Sequence, residues 1–450
     1  MSERTAKFRR VQEAQARSRV LSDLVYAFLK PWLVELDRRL DRRLVQTALG
    51  SILALILNRN RSHGLVLSEL GGYLLAVQNA VAGTKRLGRL LHAPGWSAES
   101  IDSFLDRQAR AKLERLEGDG ELALAIWDES VLEKAESIQL DGLGPVRSTK
   151  AARLKHIRPG FFNPPGGRPI VVPGFQWLQV LVAGMRGQPV LARQMWWTSR
   201  GERATDRRAV EQQMLQAVSA AWGLRVWHVW DRGFAGRPWL TAVFYTAVRF
   251  VLRWPKRYRL ADETGQERPA WQLTRGKRSL EQRLLWDARR RCQRKVGVFA
   301  MPVQDLEHRQ DLWLVVARPG HGREPWYLLT SQPILSVEDA WRVILVYSRR
   351  WQIEMALRFQ KCELAFESPR VVAWETRLKL LGLASLVYAF LLSLLDPALA
   401  TLLTWLLVRF CPRNGKRSRE ILAPLYRLRS ALARLWLAHP PPALASLSSG

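Results

Sequence analysis

Two stretches of this chain repeat one device. LALAIWDES (Leu122–Ser130) and LRVWHVWD (Leu224–Asp231) are short apolar runs, each delivering an acid where the run ends. Runs so short and so apolar read as strands buried on both faces. Their acids, Asp128 and Asp231, then fall at strand ends, where α/β sheets place their ligands. Such a chain is confined to an α/β architecture built round a sheet.

The neighbouring texture fills in the order. Trp177–Val182 and Val190–Trp197 read as two more strands, joined through a turn at Gly187–Pro189. A helix follows over Asp206–Trp222, capped by Thr205 or Asp206, and a second over Arg237–Thr246 after the Arg232–Gly233–Phe234 turn. Phe250–Arg253 reads as the fifth strand, while Leu132–Gly174 reads as loop. Strand, strand, strand, helix, strand, helix, strand is the order of a ribonuclease H-like domain. Such a core needs a further helix carrying a third acid. Before it comes a basic, strand-rich piece, with strands expected at Lys295–Met301, Leu312–Ala317 and Trp326–Thr330, read as a β insertion.

The awaited helix is YSRRWQIEMALRFQK, Tyr347–Lys361, which has neither Pro nor Gly. At about 100° per residue, Tyr347, Arg350, Glu354 and Lys361 share one face of a single helix. An ordinary solvated helix face has the same look. So, however, does a metal-binding acid set among cations that grip phosphates. Asp128, Asp231 and Glu354 are all hard oxygen donors, and Cys292, Cys362 and Cys411 lack any zinc-type spacing, so Mg²⁺ or Mn²⁺ fits better than zinc. Glu129, Glu133 and Asp206 are competing acids that spacing alone does not separate from the three.

Charge indicates the partner. The chain has 70 Lys and Arg against 40 Asp and Glu, a net +30, with Arg runs at Arg207–Arg208, Arg289–Arg291 and Arg349–Arg350. Arg suits bidentate phosphate contacts, so a polyanion is expected, nucleic acid ahead of an anionic membrane. Helical patterning over Leu21–Leu29, Leu44–Leu57, Leu70–Val81 and Ala98–Leu116 gives a helical N-terminal region, with Ser22–Asp23, Ser68 and Ser97 or Ser100 as expected N-caps. Within it the turn expected at Gly83–Arg89 offers Thr84, Lys85, Arg86 and Arg89 to a phosphate backbone. The run Leu380–Leu395 is too short for a membrane span and reads as a buried helix, and the N-terminus lacks a secretory apolar core. A cytoplasmic location without membrane attachment is the default. His439–Gly450 reads as a disordered tail.

Tyr347, Arg350, Glu354 and Lys361, with two, three and six residues between them, match the YREK signature. The chain thus resembles the bacterial cut-and-paste insertion-sequence transposases of the DDE class. The likeness extends to Trp127–Asp128, to Asp231–Arg232–Gly233–Phe234 and to the WYLLTSQP run at Trp326–Pro333. It implies a ribonuclease H-like catalytic core, interrupted by a β insertion, in which Asp128, Asp231 and Glu354 hold two Mg²⁺ or Mn²⁺ ions. Tyr347, Arg350, Lys361 and Arg232 would hold DNA, with Lys85 and Arg86 further contacts. Trp326 takes the place of the aromatic that stacks on a flipped base in hairpin-forming members, and Trp313 is its rival.

The activity implied is transposition: cleavage at terminal inverted repeats, a hairpin intermediate and strand transfer to target DNA, by a homodimer. A related nuclease without strand transfer and a catalytically silent DNA-binding derivative are the alternatives. Domain limits follow: 1–116 helical and DNA-binding, 117–253 first catalytic part, 254–339 insertion, 340–410 catalytic completion, 411–450 C-terminal helix and tail.

Overall fold

The computed structural model describes residues 3–137, 139–151, 170–287, 292–320, 323–411 and 425–441. The arginine run Arg289–Arg291 and residues 442–450 of the expected tail lie outside them. Five helices come first: α1 (Glu3–Asp37), α2 (Arg42–Leu57), α3 (Leu67–Leu75), α4 (Ala80–His92) and α5 (Ala98–Gly118). Helix α1 runs straight through Ser22–Asp23, so that pair is helix interior and caps nothing. Asp41 caps α2 instead, its carboxylate accepting from the Leu44 amide at 2.9 Å. Val66 and Ser97 sit at the N-cap positions of α3 and α5, and neither supplies a side-chain cap bond.

The expected basic turn at Gly83–Arg89 is instead the middle of α4. Gly83 serves close packing there, because a Cβ at that position would lie 2.2 Å from the Gly71 carbonyl oxygen of α3. Lys85 is exposed on α4, whereas Arg86 turns back and donates to Thr47 Oγ1 at 2.8 Å.

The sheet then forms from β1 (Ala123–Glu133), β2 (Gly144–Arg147), β3 (Val171–Ala183), β4 (Val190–Trp197), α6 (Arg207–Trp222), β5 (Val226–Trp230), α7 (Arg237–Thr246) and β6 (Arg249–Arg253). Strand β3 lies antiparallel between β4 and β1, while β1, β5 and β6 run parallel to one another. The segment read as loop thus supplies the last residues of β1, all of β2 and the start of β3.

The expected insertion continues the same sheet. It contains β7 (Arg259–Ala261), β8 (Glu267–Pro269), the single turn α8 (Ala270–Leu273), β9 (Glu281–Asp287), β10 (Cys292–Gln304), β11 (Asp311–Arg318) and β12 (Trp326–Thr330). Strand β12 pairs antiparallel with β6, so the sheet passes without a break from the parallel strands into the antiparallel ones.

Among the described residues five helices follow: α9 (Val337–Ser348), α10 (Trp351–Cys362), α11 (Trp374–Ser393), α12 (Ala400–Phe410) and α13 (Leu425–Ala438). Alternation along the strands divides their side chains between two cores. Leu124, Ile126, Trp227, Val229 and Val251 face the core that holds α9, α10 and α11. Ala123, Ala125, Trp127, Val226, Trp230 and Phe250 face the other, filled by α6 and α7. Helix α11 begins at Trp374, earlier than the apolar run suggested, and so is long and apolar enough to cross a membrane; 89% of that window is buried here. Its Arg377 and Lys379 are buried too, donating to backbone carbonyls of Asp141, Val372 and Ala93.

Candidate active site

Strand register brings the first two acids together. Ile126 pairs with Val229 across the parallel strands, and the same offset carries Asp128 to Asp231. Alternation turns both toward the core side that bears α9 and α10. Asp128 is not at the end of β1, as expected; pairing with β3 continues to Glu133. What ends near Asp128 is the pairing with the short β5, so the strands part where the acids stand.

The signature segment is not one helix. A turn at Arg349–Arg350 separates α9 from α10, with both residues still near αR geometry. Arg349 fastens this turn to the β3–β4 hairpin, donating to the carbonyls of Gly184 at 3.1 Å and Gly187 at 2.6 Å. Farther along α10, buried Gln360 accepts from Gln179 Nε2 at 3.0 Å, tying the helix to the β3 residue opposite Asp128.

Tyr347, Arg350 and Glu354 thereby close over the aspartates. The Tyr347 hydroxyl donates to Asp231 Oδ1 at 3.2 Å. Arg350 Nη1 lies 3.5 Å from Asp128 and 4.0 Å from Asp231, and its Nη2 donates to Glu354. The backbone amides of Glu129 and Arg232 each donate to the preceding aspartate, at 2.8 and 2.7 Å. The three acid side chains keep 22, 29 and 33% of their surface, so solvent and ligands reach them.

Lys361 does not join this group. It lies toward the other end of α10, where burial pulls its ammonium below the usual value against the fields of Glu367 and Glu133. Trp326 does adjoin it: its ring meets that of Tyr347 edge-on at 5.2 Å. Trp313 lies on β11, paired with Thr330. The Arg232 side chain is exposed beside Asp231.

The competing acids are engaged elsewhere. Asp206 caps α6 through the amides of Arg208 and Ala209. Glu133 accepts from Ser148 and Thr149. Glu129 points to the opposite face of β1, where it pairs with Arg207 at 2.5 Å. Burial, with the nearby Glu211, pushes Glu129 above the usual carboxylate range.

Charge in the cluster is unbalanced: three carboxylates surround one guanidinium. Burial pushes Asp128 up to about 7, with Arg350 opposing and Asp231 and Glu354 reinforcing the rise. Burial likewise lifts the Tyr347 hydroxyl to about 12, reinforced by Asp231. Arg350 is desolvated, yet Tyr347, Asp231 and Glu354 hold its proton more firmly than usual.

A divalent ion suits this donor set chemically, since the excess charge is negative and every donor is a hard oxygen. Among the described residues no three acidic, His or Cys side chains stand close enough to share an ion. The space between the carboxylates holds the Arg350 guanidinium, whose Nη1 is buried without a hydrogen-bond partner. An ion seated among the three carboxylates would take the place that the guanidinium holds.

Spacing reasoning missed Arg207, Arg208 and Glu211. The two arginines entered it only as a basic run, but both turn inward to the fully buried Glu211. Their one local signal is Glu211 at helical spacing from each.

No family model matches the chain, and no curated protein matches it. Among solved structures, the cryo-EM structure of piggyBac transposase in a synaptic complex with hairpin DNA is similar, at 12% identity and a TM-score of 0.43. The match covers 91% of this chain and 76% of that one. A likeness this loose is one of outline and bears on neither family nor activity.

Proposed function

We propose that the chain is a DNA transposase of the DDE class, with a ribonuclease H-like core in β4–β3–β1–β5–β6 and the two helices that follow β4 and β5. The observation that carries this reading is the convergence of Asp128 and Asp231, at matching register, beneath Arg350 and Glu354. An acid triad from two neighbouring parallel strands and one helix is an arrangement for phosphoryl transfer on a polyanion.

Asp128, Asp231 and Glu354 would hold Mg²⁺ or Mn²⁺, two ions in the full site. When bound, the ions supply an activated water or 3′ hydroxyl and stabilise the leaving oxygen. Arg350, displaced from the acids, has a strand phosphate as its natural anionic partner. Tyr347 keeps Asp231 oriented through its hydroxyl, and Arg349 holds the turn from which Arg350 and Glu354 project. Trp326, against Tyr347, is placed to stack on a base at the hairpin step. Lys361, Arg232, Lys85 and Arg86 are proposed further DNA contacts, and homodimer assembly on two DNA ends completes the reading.

The test is incubation of the purified protein with linear DNA bearing the sequences that flank its gene, with Mg²⁺ or with chelator. Metal-dependent cleavage at inverted repeats followed by joining to a second DNA supports the proposal. Cleavage without joining moves the protein to the nuclease reading, and binding without cleavage to the silent one.

A further inference from the structure

Behind the aspartates, on the opposite face of the sheet, lies a second charged cluster. Arg207, at the start of α6, places Nε 2.5 Å from Glu129 and 2.9 Å from Glu211, while its Nη2 donates to the Gly233 carbonyl at 3.1 Å. Arg208 Nη1 donates to Glu211 at 2.5 Å and to the Phe234 carbonyl at 3.2 Å. Two cations and two acids meet there, and Glu211 is fully buried. One end of the cluster holds the residue after Asp128. The other holds the second and third residues after Asp231.

We propose that Arg207, supported by Glu211 and Arg208, is a positioning residue that sets the spacing of Asp128 and Asp231. Strand pairing does not do this locally, because the β1–β5 ladder stops at Ile126 and Val229. Beyond that point the two acid-bearing backbones are tied across by Arg207, which grips Glu129 on one and Gly233 on the other. A planar guanidinium reaches both partners at once, Nε in ion-pair contact with Glu129 and Nη2 donating to Gly233; an ammonium makes one contact at a time. Partners behind a metal ligand that fix its orientation typically change metal affinity by about 10- to 100-fold when removed. The inference rests on the proposed metal-binding role of the two aspartates.

The experiment is Mn²⁺ titration of the full-length, DNA-free protein, with free Mn²⁺ read by electron paramagnetic resonance. Asp231→Asn first establishes that the measured binding belongs to the acid cluster. Arg207→Ala is expected to weaken Mn²⁺ binding about tenfold, with Arg207→Lys between it and the wild type. Val218→Ala, a cavity in the same helix away from the cluster, serves as the control for general loosening and is expected to leave affinity unchanged. Wild-type affinity in both Arg207 variants, or an equal loss in Val218→Ala, overturns the positioning role. If Arg207→Ala does not fold, the Arg207→Lys comparison alone decides. Unchanged binding in Asp231→Asn overturns the underlying site reading instead, which keeps the two failures distinct.

Discussion

Asp128 and Asp231 stand at matching register where the parallel strands β1 and β5 part, with Arg350 the cation lying between them and Glu354. The β1–β5 ladder ends two residues before each acid, so the two like charges stand side by side just beyond it. A nearby cation, or a proton on one of the two, relieves the repulsion of such a pair. In this chain Arg350 provides that cation, and three acids leave a negative excess beyond it.

Removing any one acid should stop the chemistry. Asp128→Asn, Asp231→Asn and Glu354→Gln are each expected to lower metal-dependent DNA cleavage by about a thousandfold or more. Binding to the same DNA, measured by gel shift, should stay within about threefold, because these side chains face the cluster and carry no positive charge. Near-normal cleavage by any of the three would remove that residue from the triad.

Arg350 should matter most when no divalent ion is present. Arg350→Ala leaves the carboxylates without their counter-ion, and a loss of about 1–3 kcal/mol of stability is expected, moderated by their partial exposure. Millimolar Mg²⁺ should narrow the gap from the wild type in denaturant unfolding. A gap that is unchanged by Mg²⁺ would mean that the ion binds elsewhere.

His228 gives a pH-dependent stability term. It is fully buried between Trp127 and Trp230, at ring distances of 5.6 and 5.1 Å, and neither ring nitrogen has a hydrogen-bond partner. Burial lowers its value from 6.5 to about 3. The folded value is the depressed one, so the unfolded chain alone takes up a proton as pH falls through 6.5. The stabilisation is complete above that value and falls by about 1.4 kcal/mol per pH unit below it. Between about pH 7 and about pH 5 the wild type should lose about 2 kcal/mol more than His228→Phe in denaturant unfolding. Parallel losses would show that the histidine is protonated in the folded state.

Trp326→Ala should separate two steps. First-strand nicking is expected to survive while hairpin product falls by about tenfold, the worth of one stacked base. Because Trp326 also packs against Tyr347, Trp326→Phe is the companion variant, keeping the ring contact and most of the hairpin yield. Equal hairpin yield in Trp326→Ala would assign the stacking to another ring.

The site was legible where its signal was local. Apolar runs ending in Asp128 and Asp231 announced their strands, and the spacing of Tyr347, Arg350 and Glu354 marked the segment that covers them. The break at Arg349–Arg350 was not legible, because no Gly or Pro marks it; it is held by long-range bonds from Arg349 to Gly184 and Gly187. Long-range pairing likewise hid the inward turn of Arg207 and Arg208, which look in sequence like any basic surface pair. Lys361 was grouped with Glu354 on helix geometry and on the signature spacing, and it sits toward the far end of α10. Gly83 looked like a turn because glycine often is one, whereas here it lets two helices touch.

The most direct test of the account is anomalous diffraction from crystals of the protein soaked in Mn²⁺. Peaks coordinated by Asp128, Asp231 and Glu354 at about 2.0–2.3 Å, with Arg350 swung off the acids, are the predicted result. Peaks elsewhere, with Arg350 still seated among the three carboxylates, would contradict it.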